Sequence, residues 1–268
     1  MRVIQWATGG VGRAAIEAIL QHPELELVGC WVHSAAKDGV DVGTILGGAE
    51  IGVAASADRD AVLAMDADAV VYAPLVPDAE EVAAILRSGK NVVTPVGWFY
   101  PHERDRAVVE AAALEAGVTL LDTANVYGPD DGVFGINERW LARALDAWSG
   151  PRPRVATKGG LTRPGGRWVP DGRAKAIRQA CEGSLEALGV ETIDLSLLHA
   201  PDPRVSWKTT CRALAKLKAE GLAARLGLCN VSVAQLREAR AHMDVDAVQI
   251  GLSPFEESGL RGGVPRYC

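Results

Sequence analysis

The chain has 268 residues, long enough for one large α/β domain or two smaller ones. Its 48% hydrophobic and 23% charged residues suit a globular protein, and a net charge of −6 without a basic block excludes recruitment of nucleic acid or an anionic membrane surface. The five cysteines, at 30, 181, 211, 229 and 268, form no C-x-x-C pair, which argues against a zinc site or a disulfide framework and fits a reducing cytoplasm.

The first residues, MRVIQWA, turn glycine-rich at once and offer no signal-peptide core. No apolar run approaches the ~18 residues that a membrane helix needs. A soluble, cytoplasmic protein without a metal is the expectation. Short apolar runs then alternate with longer amphipathic ones from end to end, which is the pattern of βα units and a parallel sheet. Strands are expected near 2–7, 25–32, 69–75, 91–96, 118–124, 154–158, 193–199, 225–230 and 246–252. Helices are expected near 11–21, 58–65, 78–88, 103–116, 135–148, 172–188, 207–220 and 232–242, several of them closed by a glycine such as Gly89, Gly117, Gly189 or Gly221.

The first strand runs into Ala7-Thr8-Gly9-Gly10-Val11-Gly12-Arg13 and then a helical pattern. A strand, a glycine turn and a helix start bring backbone N–H groups against a pyrophosphate, so Gly9, Gly10, Gly12 and Arg13 are candidate cofactor-binding residues. Against G-x-G-x-x-G the first glycine is replaced by Ala7, while Gly9 and Gly12 match. A tight βα turn with no ligand is the competing reading. After the second strand no acidic residue stands where a ribose 2′-hydroxyl is usually held; His33, Ser34 and Lys37 are there instead, which favours NADP over NAD. With "WATGGVGR", "ELVGCWVHS" and "GKNVVTPVGWFYP", residues 1–116 resemble the N-terminal nucleotide-binding domain of dihydrodipicolinate-reductase-like proteins and amino-acid dehydrogenases. That resemblance implies cofactor binding and no catalytic residue.

Three later apolar runs each finish on a titratable side chain. The first reaches Asp122, with Tyr127 five residues on, the second ends on Lys158 and the third on His199. In a βα-repeat such strand ends face one mouth. Taken singly, Asp122 reads as a turn cap, Tyr127 as a loop aromatic, Lys158 as a solvated strand end and His199 as a satisfied polar group. Together they suit carbonyl reduction. A phenol, with an unperturbed pKa of about 10, becomes a usable acid beside an ammonium that favours the phenolate, and a carboxylate holds that ammonium in place. A histidine beside the carbonyl oxygen adds a donor where negative charge grows.

From Gly117 onward the sequence is similar to the aldo-keto reductases, through "EAGVTLLDTANVYG", "NERWLARAL", "VATKGG", "SLEALGVETIDLSLLHAPDP", "LKAEGLAARLGLCN" and "AVQIGLSPF" in order. The family folds as a (β/α)₈ barrel, and the resemblance implies the catalytic set Asp122, Tyr127, Lys158 and His199. It also assigns Asn230 and Gln249 to the nicotinamide carboxamide, although the residue before Asn230 is Cys229 where the family usually has Ser. The expected fold class is therefore α/β, a Rossmann-like parallel sheet over 1–116 followed by an incomplete (β/α) TIM-barrel segment over 117–268. A full barrel takes about 250 residues, and the similar region supplies strands two to six; residues 91–96 with helix 103–116 offer a substitute for the first βα unit. Such a chimera leaves open sheet edges at which copies of the chain could associate. The expected activity is reduction of a small aldehyde or ketone with NADP, or alternatively NAD. A nucleotide-binding or sensing module without turnover, and an inactive fusion or truncation product, stay open as alternatives.

Overall fold

The computed structural model describes residues 1–96, 102–128, 133–251 and 258–268. Residues 97–101 of the motif at 89–101, and residue 252 at the end of the last expected strand, lie outside the described residues. The chain divides into two compact units, 1–118 and 119–268.

In the first unit, β1 (Arg2–Trp6) is buried along nearly its whole length, as a central strand covered on both faces must be. The glycine turn leads to α1 (Gly10–Gln21), which buries Gly12, Ile16 and Ile19. Next come β2 (Glu26–Trp31), α2 (Val42–Leu46), the two-residue β3 (Ala55–Ser56), α3 (Arg59–Leu63) and β4 (Ala69–Tyr72). Helix α4 (Ala79–Arg87) starts at Asp78, whose carboxylate accepts from the backbone N–H groups of Glu80 and Glu81. Strand β5 (Asn91–Val93) and α5 (Glu103–Glu115) follow. The order β3-β2-β1-β4-β5, parallel throughout, is Rossmann-like. The direction of winding reverses at β1, so the crevice expected to take a ligand opens beyond the ends of β1 and β4. Ile4, Trp6, Trp31, Val70 and Tyr72 pack into one core cluster, with Trp6 stacked on Trp31 at 4.7 Å.

The second unit contains β6 (Leu120–Asp122), α6 (Ile136–Asp146), β7 (Arg154–Gly159), an antiparallel pair β8 (Leu161–Thr162) and β9 (Val169–Pro170), and α7 (Ala174–Leu188). Then come β10 (Leu195–Leu198), α8 (Trp207–Ala219), β11 (Leu226–Cys229), α9 (Val233–Ala239), β12 (Ala247–Gln249) and the short α10 (Ser258–Arg261) and α11 (Val264–Tyr267). Strands β6, β7, β10, β11 and β12 lie side by side in chain order and all parallel, a curled section of a (β/α) barrel. Leu198, Leu226 and Leu228 meet Ile177, Leu214, Leu217 and Leu236 of the covering helices in the main core.

Residues 91–93 pair with β4 of the first sheet and do not open the second. An apolar run encodes a strand but not its partner. The short elements α2, β3, β8 and β9 are absent from the sequence reading, because two to five residues are too few to show a period.

Candidate active site

Each expected strand-end side chain sits where the parallel register puts it. Asp122 is the last residue of β6, paired with Ala156 of β7, and Lys158 lies two positions further along β7, opposite Leu197 of β10. His199 directly follows β10, its backbone N–H bound to the carbonyl of Gly159. Neighbouring parallel strands thus deliver the carboxylate, the ammonium and the imidazole to one end of the sheet.

The Lys158 side chain is 2% exposed, and an ammonium at that depth must be satisfied. It donates to Asp122 Oδ2 at 2.5 Å and to the Thr123 carbonyl at 2.8 Å. Its third contact is the Tyr127 hydroxyl at 3.5 Å. Asp122 itself remains 42% exposed at its side chain, so the pair reaches from the core to the mouth. Thr123 anchors the loop that carries Tyr127, its hydroxyl meeting Asn137 Oδ1 at 2.6 Å.

His199 lies edge-on to Tyr127, with ring centroids 5.6 Å apart at 79°. Burial, helped by the Lys158 charge and opposed by Asp122, pushes its pKa down to about 4. The imidazole is therefore neutral near pH 7, and its buried Nδ1 has no hydrogen-bond partner.

Two further expected residues join this cluster. Asn230, in the left-handed region at φ 58°, donates through Nδ2 to the His199 carbonyl at 3.0 Å. Gln249 Nε2 donates to Asp122 Oδ1 at 3.3 Å, and its Oε1 faces Cys229 Sγ at 3.4 Å. Burial drives the Cys229 thiol up to about 12, so it stays protonated and fills the place of a hydroxyl donor.

One wall of the site is missing from the sequence reading. Trp168, 52% exposed, stands 6.4 Å from Tyr127 and 6.2 Å from His199, centroid to centroid. Arg163 lies 4.6 Å over the indole and donates to the Gly128 carbonyl at 2.8 Å, tying the Trp168 loop to the Tyr127 loop. A lone tryptophan just after the turn residues Pro164, Gly165 and Gly166 was the available signal: "RPGGRWVPDG" spends a large aromatic where a plain turn would not.

The remaining candidates lie in the first unit, at the glycine turn. Ala7 stands at φ 74°, the left-handed geometry that a glycine usually takes in this position. Gln5 Nε2 holds its carbonyl at 2.9 Å, and a Cβ on Gly12 would come within 2.2 Å of that same oxygen. Only glycine fits at 12. Gly9 precedes α1 with no side-chain cap, and neither Gly9 nor Gly10 would have anything within 4 Å of an added Cβ. The helix N–H groups are thus open to an anion approaching over bare backbone. Arg13, half-buried, lies in the first turn of α1. Ser34, exposed, precedes a single 3-10 turn, Ala35–Lys37, and Lys37 Nζ reaches back to Thr8 Oγ1 at 2.8 Å. These features fit a dinucleotide's phosphates.

Comparison with known proteins agrees with the geometry of both units. Residues 93–262 match the aldo/keto reductase family, and residues 3–119 match the N-terminal part of dihydrodipicolinate reductase. The chain belongs to the aldo/keto reductase family. The two matches overlap over residues 93–119, which hold the last residue of β5 and all of α5.

An uncharacterized oxidoreductase of Schizosaccharomyces pombe is 36% identical over 154 residues, covering 57% of this chain and 48% of the relative. An aldo-keto reductase of Strobilurus tenacellus is 38% identical over 165 residues, covering 60% of this chain and 46% of its own. Among solved structures, a glycerol dehydrogenase of Gluconobacter oxydans shares 33% identity with a TM-score of 0.54, over 64% of this chain and 54% of that one. A Bacillus halodurans aldo-keto reductase is alike in fold, at 24% identity and a TM-score of 0.53 over 63% of this chain and 55% of that one. The chain spans about half the length of the curated relatives it matches.

Proposed function

We propose that this chain is an NADP-dependent oxidoreductase that reduces the carbonyl of a small aldehyde or ketone, with Tyr127 as general acid. The observation that carries the reading is the buried Lys158 ammonium, held by Asp122 and Thr123 with its third contact on the Tyr127 hydroxyl. A phenol so placed meets an ammonium at the oxygen from which its proton would leave.

A bound nicotinamide cofactor supplies the hydride that the carbonyl carbon accepts. The chain's own groups manage the proton and the charge. Tyr127 passes its hydroxyl proton to the carbonyl oxygen, and Lys158 faces the phenolate left behind. Asp122 keeps the ammonium in position. The neutral His199, with one ring N–H to give, orients the carbonyl and stabilises its developing negative charge. Trp168 offers an apolar face to the substrate and, with Tyr127 and His199, limits water.

Each unit carries features suited to the cofactor. In the first, the open helix start behind Gly9, Gly10 and Gly12 suits the pyrophosphate, with Arg13 beside it; Ser34 and Lys37, in place of an acidic residue directly after β2, suit a 2′-phosphate better than a free ribose. In the second, Asn230 and Gln249 suit the carboxamide. The test is a panel of aldehydes and ketones with NADPH or NADH in excess. The reading predicts cofactor oxidation that depends on the carbonyl and runs faster with NADPH. No turnover with any pair would sink it.

A further inference from the structure

Behind the Lys158 cluster, the first turn of α6 makes contacts that the proposed mechanism does not use. The helix starts after Gly135, and its second residue is Asn137, a residue type that favours a helix only weakly. The Asn137 side chain turns to the end of β6, where its Oδ1 accepts the Thr123 hydroxyl at 2.6 Å. Thr123 is fully buried, and a hydroxyl at that depth requires an acceptor.

Asn137 touches two of the residues that meet the ammonium. The Thr123 carbonyl accepts from Lys158 Nζ at 2.8 Å, and the Tyr127 hydroxyl lies 3.5 Å from the same nitrogen. Besides holding the Thr123 hydroxyl, Asn137 donates its backbone N–H to the Tyr127 carbonyl at 3.3 Å. It therefore grips both ends of the stretch from Thr123 to Tyr127.

The next residue of α6 holds β7 in the same manner. Glu138 is fully buried, and its Oε1 takes the hydroxyl of Thr157, the neighbour of Lys158, at 2.5 Å. One helical turn thus fastens the threonine beside Asp122 and the threonine beside Lys158. Loss of the Asn137 side chain leaves β7 held by Glu138, so it frees the Tyr127 segment and spares the lysine strand.

We infer that Asn137 is a positioning residue: through Thr123 and the Tyr127 carbonyl it fixes the phenol oxygen against the Lys158 ammonium. Its effect on rate rests on the proposed carbonyl reduction. The test is a cycle of Thr123→Val, Asn137→Ala and the double variant, read as NADPH oxidation with the best aldehyde of the panel. Each single variant is expected to lose about tenfold in kcat with KM for the aldehyde little changed, because a small misplacement at the reacting atoms suffices. The double variant should stay within about twofold of the slower single one, since both changes remove the same bond. Asn137→Asp keeps an acceptor for the Thr123 hydroxyl and should recover most of the rate. Hydrogen exchange gives a readout independent of turnover. In Asn137→Ala the Asn125 and Tyr127 amides should exchange about tenfold faster, while the His199 amide, bound to the Gly159 carbonyl, keeps its rate. Losses that add in the double variant, or an Asn137→Asp protein as slow as Asn137→Ala, would overturn the assignment. So would exchange that is unchanged at Asn125 and Tyr127, or that rises equally at His199. An unaltered chain that reduces no aldehyde would instead sink the proposed activity, and exchange alone would then decide whether Asn137 holds the segment.

Discussion

At the residue scale, the site rests on one lysine whose burial forces its surroundings. An ammonium at 2% exposure requires a carboxylate and a carbonyl, and Asp122 and Thr123 supply them. The same burial acts on His199 with a consequence for stability. Its folded pKa of about 4 lies below the unfolded value of about 6.5. Between those values the unfolded chain binds a proton that the folded chain refuses, so stability falls as pH drops through this window. The full contribution is present above pH 6.5, and roughly 3 kcal/mol is lost by pH 4. Urea melts from pH 7 to 4 should show a markedly shallower loss for His199→Gln than for the unaltered chain. Parallel losses would show that His199 titrates normally.

At the element scale, the strand ends explain why so much of the site was readable. An apolar run that stops on Asp122, Lys158 or His199 announces both the strand and its functional end, and parallel pairing then forces the ends together. The turn before Trp168 marks the residue but not its place beside Tyr127, because β8 and β9 have only two residues each and show no period. The close approach of α1 to the β1 turn also depends on one position. Gly12→Ala puts a methyl into the Ala7 carbonyl, so the helix start must shift; we expect a cost of about 1–3 kcal/mol and loss of NADPH binding at the turn. Fluorescence titration with NADPH, beside a urea melt, checks both. Undiminished affinity in a folded Gly12→Ala protein would remove the turn from the cofactor site.

At the scale of the whole molecule, two parallel sheets with different logic share one chain. The first reverses its winding at β1, and the second adds strands in simple succession. The succession of βα units was visible in the hydrophobic pattern, since helices such as α1 and α7 repeat at 3.6 and strands such as β1 and β11 are short and buried along all or nearly all of their length. The partner of β5 was not. Residues 91–93 carry no local mark of the sheet they join; pairing with β4 settles it, and that contact is tertiary. The central claim is that the second unit's cluster transfers a proton to a carbonyl. The most direct test is single-turnover and steady-state NADPH oxidation by Tyr127→Phe with the best aldehyde of the panel. The account predicts a fall in kcat of about 10²–10⁴-fold with NADPH binding intact; turnover equal to that of the unaltered chain would contradict it.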